Sequence, residues 1–242
     1  MKTALVIHGF PQRFEEDHIL FRCLNSRGYT IVAPYLLTGQ VELDKEAILG
    51  HLLSELGENE PDLIVGISMG GLLAPYITEK FPETKMLLIA SGCKFAPKAK
   101  VLRSILSKKY LLGVCWRLLK FIPYCVKRFV YKRINPFSPT SVKKTDYDKD
   151  LEINLKYIDA ITSSVMQGLS KLILEIDNTS VLSRITNSCL ILSGKEDVLM
   201  PLQEAELVHQ YVSGSRLVVV QAGHFDVITQ GSMQYIDQFI TE

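Results

Sequence analysis

Leu63-Ile64-Val65-Gly66-Ile67-Ser68-Met69-Gly70-Gly71-Leu72-Leu73-Ala74 joins a short apolar run to a helical pattern through a turn made of one serine and three glycines. The run over Leu63–Ile67 is too continuously apolar to be a strand with one wet face, so it is predicted to be a strand buried on both sides. Gly66-Ile67-Ser68-Met69-Gly70 fits G-x-S-x-G. A serine at such a turn is held in a strained backbone, and only very small neighbours two residues to either side let strand and helix approach closely. The same glycine-rich turn would also serve to bind phosphate, or merely to pack.

Outward from this stretch the pattern repeats. Further apolar, β-rich runs occur at Ala4–Ile7, Thr30–Ala33, Met86–Ala90, Cys189–Leu192 and Leu217–Val220. Between them lie helical patterns at residues 15–26, 42–56, 70–80, 202–211 and 233–240. Strand and helix in alternation predict a doubly wound parallel sheet. Ligands of such sheets bind beyond the carboxyl ends of the strands. Those ends carry His8-Gly9-Phe10, Ser68-Met69-Gly70-Gly71, Ser193-Gly194-Lys195-Glu196-Asp197 and Ala222-Gly223-His224.

Composition narrows the class. The chain has 242 residues, 47% hydrophobic and 22% charged, enough for one domain that withdraws roughly 70–75% of its unfolded surface from water. Five cysteines, an odd set without a CxxC pair, support neither a disulfide framework nor a zinc ribbon. Met1-Lys2-Thr3 runs directly into Ala4-Leu5-Val6-Ile7, leaving no room for a secretory signal, so a reducing cytoplasm is the expected location. The most apolar region, Tyr110 to Phe129, is interrupted by Arg117, Lys120, Lys127 and Arg128, so no membrane span is expected.

The net charge of +1 conceals an uneven distribution. Thr84 to Thr145 holds 15 Lys or Arg and no Asp or Glu, whereas the remainder holds 12 basic and all 26 acidic residues. From Val101 to Ile134 the basic residues alternate with Leu, Ile, Phe, Tyr and Trp116 in a basic amphipathic pattern, which reads as an insertion.

A serine hydroxyl becomes a useful nucleophile only when a base takes its proton and a third group holds that base. Ser68, His224 and Asp197 are the candidates. Asp197 is favoured over its neighbour Glu196 by its spacing from Gly194, and Asp226 reads as a helix-start residue. His18, His51 and His209 fall in helical patterns and read as surface or boundary residues, while His8 is expected to brace its loop. Negative charge on an attacked carbonyl needs preorganised donors, for which the backbone amides of Phe10 and Met69 are the candidates.

The order Ser68, Asp197, His224, with His8-Gly9 upstream, resembles the α/β-hydrolase family over nearly the whole chain outside the basic segment. The resemblance implies Ser68 as nucleophile, Asp197 as acid, His224 as base, an oxyanion hole at the Phe10 and Met69 amides, and no cofactor or metal. Two departures stand out. The family's two N-terminal strands are missing, leaving about six parallel strands with Thr30–Ala33 at an exposed edge. Ala33-Pro34-Tyr35-Leu36-Leu37-Thr38-Gly39 also replaces the common Asp-x-Pro-Gly-x-Gly-x-Ser loop.

The resemblance further divides the chain into a hydrolase core, residues 1–94 and 175–242, and an inserted helical cap, residues 95–174. Leu112, Trp116 and Leu119 are candidates to line a substrate pocket there, with gluing the cap to the core as the alternative. The implied activity is carboxylesterase cleavage of an ester with an apolar acyl group. Lipase or acyl-thioesterase activity on lipid, acyl-carrier-protein or acyl-coenzyme A substrates is the alternative, and a non-catalytic ligand-binding module is the alternative of another class. The basic cap would attract an anionic partner, either an acyl carrier protein or an anionic membrane surface. Nucleic acid is not expected, because no recognised binding motif is present.

Overall fold

The computed structural model describes residues 2–11, 15–134 and 144–242, so residues 135–143 of the basic segment lie outside it. Six strands form one parallel sheet: β1 (Lys2–Ile7), β2 (Tyr29–Val32), β3 (Leu63–Ile67), β4 (Lys85–Ile89), β5 (Cys189–Gly194) and β6 (Arg216–Val220). Their order is β2-β1-β3-β4-β5-β6. Chain order reverses between β1 and β3, which pair with Ile7 opposite Gly66. That reversal opens a crevice at their carboxyl ends.

Alternation along the strands explains why both faces are dry. Leu5, Ile7, Ile64, Met86, Leu88 and Ile191 point into one apolar cluster. Ala4, Val6, Val65, Leu87, Ile89 and Leu192 point into the other. The first cluster is completed by α2 (Lys45–Leu56), α3 (Met69–Thr78) and α10 (Leu202–Tyr211). The second is completed by α1 (Ile19–Ser26) and α11 (Gln230–Thr241). β6 departs from the expectation of a strand buried on both sides, because it is an edge with one neighbour and its Val219 is exposed. β2 forms the other edge, as expected.

Capping groups set helix boundaries that periodicity could not. The Asp44 carboxylate accepts the Ala47 amide, so α2 begins at Lys45 and not at Glu42. Thr229 and Ser232 form a capping box that starts α11 at Gln230, three residues before its apolar pattern.

Between β4 and β5 the chain inserts α4 (Lys100–Ser107), α5 (Lys109–Leu119), α6 (Tyr124–Ile134), α7 (Lys144–Ala160) and α8 (Ser163–Glu175), followed by the short α9 (Thr179–Leu182). Leu106, Leu112, Val165, Leu169 and Leu172 bury themselves in the same cluster as α2 and α3. Among the described residues, Tyr147, Leu151 and Leu155 of α7 gather in a small cluster of their own, with Tyr131 and Ile158 against it. The basic residues of α6 are partly neutralised across α7: Lys127 pairs with Asp159 at 2.6 Å, and Arg128 with Glu152 at 3.2 Å. No described helix is long and apolar enough to cross a membrane.

Candidate active site

Ser68 sits between β3 and α3 with φ 51° and ψ −113°, a conformation that L side chains rarely adopt. Its amide donates to Ile89 O, and its carbonyl accepts from the Ser91 hydroxyl, so the neighbouring β4 end holds the strained turn. The glycines are required by contact. A Cβ on Gly70 would be driven into the Ile7 carbonyl oxygen, and one on Gly66 would lie 2.6 Å from Gly71 Cα. Gly71, not singled out by the motif, is equally constrained, since its Cβ would collide with the Ser91 side chain.

The turn brings together three side chains from three strand ends. Ser68 Oγ lies 2.8 Å from His224 Nε2, and His224 Nδ1 lies 2.6 Å from Asp197 Oδ2. Asp197 is fully buried. Its other oxygen, Oδ1, accepts the amides of Leu199 and Met200, both at 2.8 Å. Because the carboxylate can only accept, His224 Nδ1 carries the proton, and Nε2 is left as the acceptor facing the serine. Glu196 takes no part: it is exposed and accepts from Gln221 Nε2.

The loop after β1 is braced from within. The Leu36 amide donates to His8 Nε2 at 2.9 Å, which leaves the His8 Nδ1 proton for Gly9 O at 2.5 Å. A Cβ on Gly9 would come within 3.1 Å of Ser68 Cβ, so a glycine lets this loop lie against the serine. Met69 opens α3, where first-turn amides have no intrahelical acceptor. Among the described residues, neither the Met69 nor the Phe10 amide donates to another protein atom.

Ser68 and His224 open onto a cavity of about 140 Å³. Its far wall is not the predicted one. Leu112 is buried in the core cluster, Trp116 donates its indole N–H to Ile161 O, and Leu119 is also absent from the lining. Leu112 and Trp116 pack into the core cluster and fasten α5 to the body of the protein, and none of the three lines the cavity. The wall is formed by Tyr131 of α6 and by Tyr147, Asp150 and Asn154 of α7. The last three recur at i, i+3 and i+7 and so share one helix face.

Two further residues depart from the sequence reading. Asp226 does not start α11, which Thr229 caps; instead it lines the cavity, 8% exposed. No hydrogen bond or ion pair reaches its carboxylate among the described residues, and burial raises its pKa above the usual carboxylate value. His18 is the N-cap of α1 and not an interior residue: its Nδ1 accepts the Leu20 amide, and it too lines the cavity. Burial lowers its pKa to about 4, so the ring is neutral near pH 7.

An esterase from Exiguobacterium antarcticum superposes with a TM-score of 0.73 at 16% identity, covering 100% of this chain and 92% of its own. A bromoperoxidase from Bacillus anthracis gives 0.73 at 15% identity, with the same coverages of 100% and 92%. An enol-lactonase from Burkholderia xenovorans LB400 gives 0.72 at 15% identity, again over 100% and 92%. No protein-family model and no curated protein sequence matches the chain. The chain has the α/β-hydrolase fold, in a form with six parallel strands.

Proposed function

We propose that this protein is a serine hydrolase that cleaves a small carboxylic ester through an acyl-enzyme. The observation that carries the proposal is the Ser68–His224–Asp197 relay, with links of 2.8 and 2.6 Å, at a strained strand-to-helix turn. A binding module has no use for all three groups in that order. Ser68 Oγ attacks the carbonyl as His224 Nε2 takes its proton, and Asp197 stabilises the imidazolium that forms. The oxyanion is received by the Met69 and Phe10 amides, each worth about 3 kcal/mol of transition-state stabilisation. His224 returns its proton to the leaving alcohol, then activates water to release the acid.

The cavity narrows the substrate. At about 140 Å³ it matches a space that admits benzene, which favours a group of about six heavy atoms over a long acyl chain. Asp226 contributes an acceptor without a protein donor, so a hydroxyl or ammonium on the substrate would satisfy it. The expected apolar acyl group is thereby supplemented by one polar requirement, at Asp226. A chain-length series of p-nitrophenyl esters, wild type beside Ser68→Ala, tests the reading. Short esters are expected to be the better substrates, with at least about a 10³-fold loss in the variant. Activity that survives the substitution would sink the assignment.

A further inference from the structure

The inserted helix α5 is apolar on two opposite faces. Leu112, Trp116 and Leu119 face the protein. Tyr110, Leu111, Val114 and Leu118 fall on the other side, within about 100° of one another at 100° per residue, and Phe121 follows them just past the helix end. Tyr110 is 91% exposed and Phe121 84%. A helix with two apolar faces is ordinarily covered on both. This one is enclosed on one.

The next helix repeats the arrangement. On α6, Val126, Phe129 and Val130 are exposed and share a face with Arg133, whereas Tyr131 turns the other way to line the catalytic cavity. Surfaces this apolar on a globular protein mark an interaction site.

Charge identifies the occupant. Lys127, Arg128 and Lys132 are taken up by acids of α7 and its neighbourhood. No ion pair among the described residues reaches Lys100, Arg103, Lys108, Arg117, Lys120 or Arg133, and all six are exposed, on or beside the same three helices α4, α5 and α6. Arg117 borders the apolar stripe by helical position, and Lys108 is the cap residue immediately before α5. A second copy of the chain would set cation against cation. An anionic bilayer accepts both features at once, since its headgroups meet the cations and the headgroup–acyl boundary takes aromatic and aliphatic side chains.

We propose that α5 and α6 seat this protein on anionic phospholipid, with the Tyr110–Phe121 stripe and Phe129 entering the interface. Docked in this way, the cavity lies about one helix diameter, ~10 Å, from the bilayer surface, because α6 separates the two. This inference is independent of the hydrolase reading, since it uses none of the groups around Ser68.

Sedimentation with phosphatidylcholine vesicles, with and without phosphatidylglycerol, provides the test. The wild-type protein is expected to pellet only with the phosphatidylglycerol vesicles, and to be released as NaCl rises from about 0.1 to 0.5 M. Lys108→Glu with Lys120→Glu is expected to weaken binding by at least about fivefold per cation, and Phe121→Glu with Phe129→Glu to abolish it. These side chains are exposed, so thermal melts should match wild type. An environment-sensitive fluorophore on the exposed Cys115 and Cys125 should shift to the blue with anionic vesicles alone. Failure of the folded protein to bind phosphatidylglycerol vesicles overturns the proposal. So does binding that ignores all four substitutions, a dimer dissolved by Phe121→Glu without vesicle binding, or capture by an acidic carrier protein in place of lipid.

Discussion

Replacing Asp197 by Asn changes one atom, and the structure dictates the consequence. Oδ1 of Asp197 accepts two backbone amides, from Leu199 and Met200, each at 2.8 Å. Those amides can only donate, so the carboxamide oxygen of the variant has to take the Oδ1 position. Its NH2 then faces His224 Nδ1, a donor set against a donor over the 2.6 Å now spanned by Oδ2. The imidazole relieves the conflict by moving its proton to Nε2, which lies 2.8 Å from Ser68 Oγ and can no longer accept from it. A wrongly held tautomer of this kind lowers kcat/KM by about 10⁴-fold in serine-protease triads, equivalent to about 5.4 kcal/mol of transition-state stabilisation. The backbone bonds survive, so the fold should persist. The Glu196 carboxylate does not rescue the variant, because it is exposed and engaged by Gln221; Glu196→Gln should stay within about twofold of wild type. The assay is hydrolysis of a short p-nitrophenyl ester beside a denaturant melt. An Asp197→Asn enzyme retaining more than a tenth of wild-type activity would refute the relay as described.

Gly70→Ala drives a methyl into Ile7 O, a backbone atom, and should cost about 3 kcal/mol or more in urea melts. Gly50→Ala, inside α2 with nothing near its Cβ, should instead stabilise by about 0.5–1 kcal/mol. His18 has its pKa lowered from 6.5 to about 4 by burial, so the unfolded chain binds more protons between those values. Stability should therefore fall on acidification from pH 6.5 to 4, by about 3 kcal/mol from this group, and His18→Asn, which keeps the cap, should flatten that part of the profile. Asp226→Asn removes a buried carboxylate without a partner and should raise Tm, while lowering the preference for hydroxyl- or ammonium-bearing esters over plain alkyl ones.

The sheet could be read from the sequence because parallel strands buried on both faces are continuously apolar, as Leu63–Ile67 and Cys189–Leu192 are. Ser68, Asp197 and His224 were legible for a related reason: each follows such a run, with a glycine turn to announce it. Glu196 and Asp197 are adjacent along the chain, and spacing from Gly194 pointed to the one that the Leu199 and Met200 amides hold. The cavity wall was not legible. Tyr147, Asp150 and Asn154 have the spacing of a helix face, but a polar stripe looks the same whether water or a substrate lies against it. On α5 the apolar residues cover both faces, and periodicity cannot say which face turns inward; contact with Phe10 and Ile161 turns Trp116 in and leaves Leu118 out. The charge imbalance was real along the chain but smaller in space, because Asp148, Glu152 and Asp159 follow Thr145 in sequence and return to face α6. His18 and Asp226 were read by their neighbours in sequence, while their roles come from the fold that carries both to the cavity.

Mass spectrometry of the intact protein and its peptides after exposure to a fluorophosphonate identifies the nucleophile by its adduct. A single adduct is expected, on Ser68, and it should be abolished by Ser68→Ala and slowed by at least about 10³-fold in His224→Ala. A folded wild-type protein that takes no adduct, or takes one on another residue, would contradict the account.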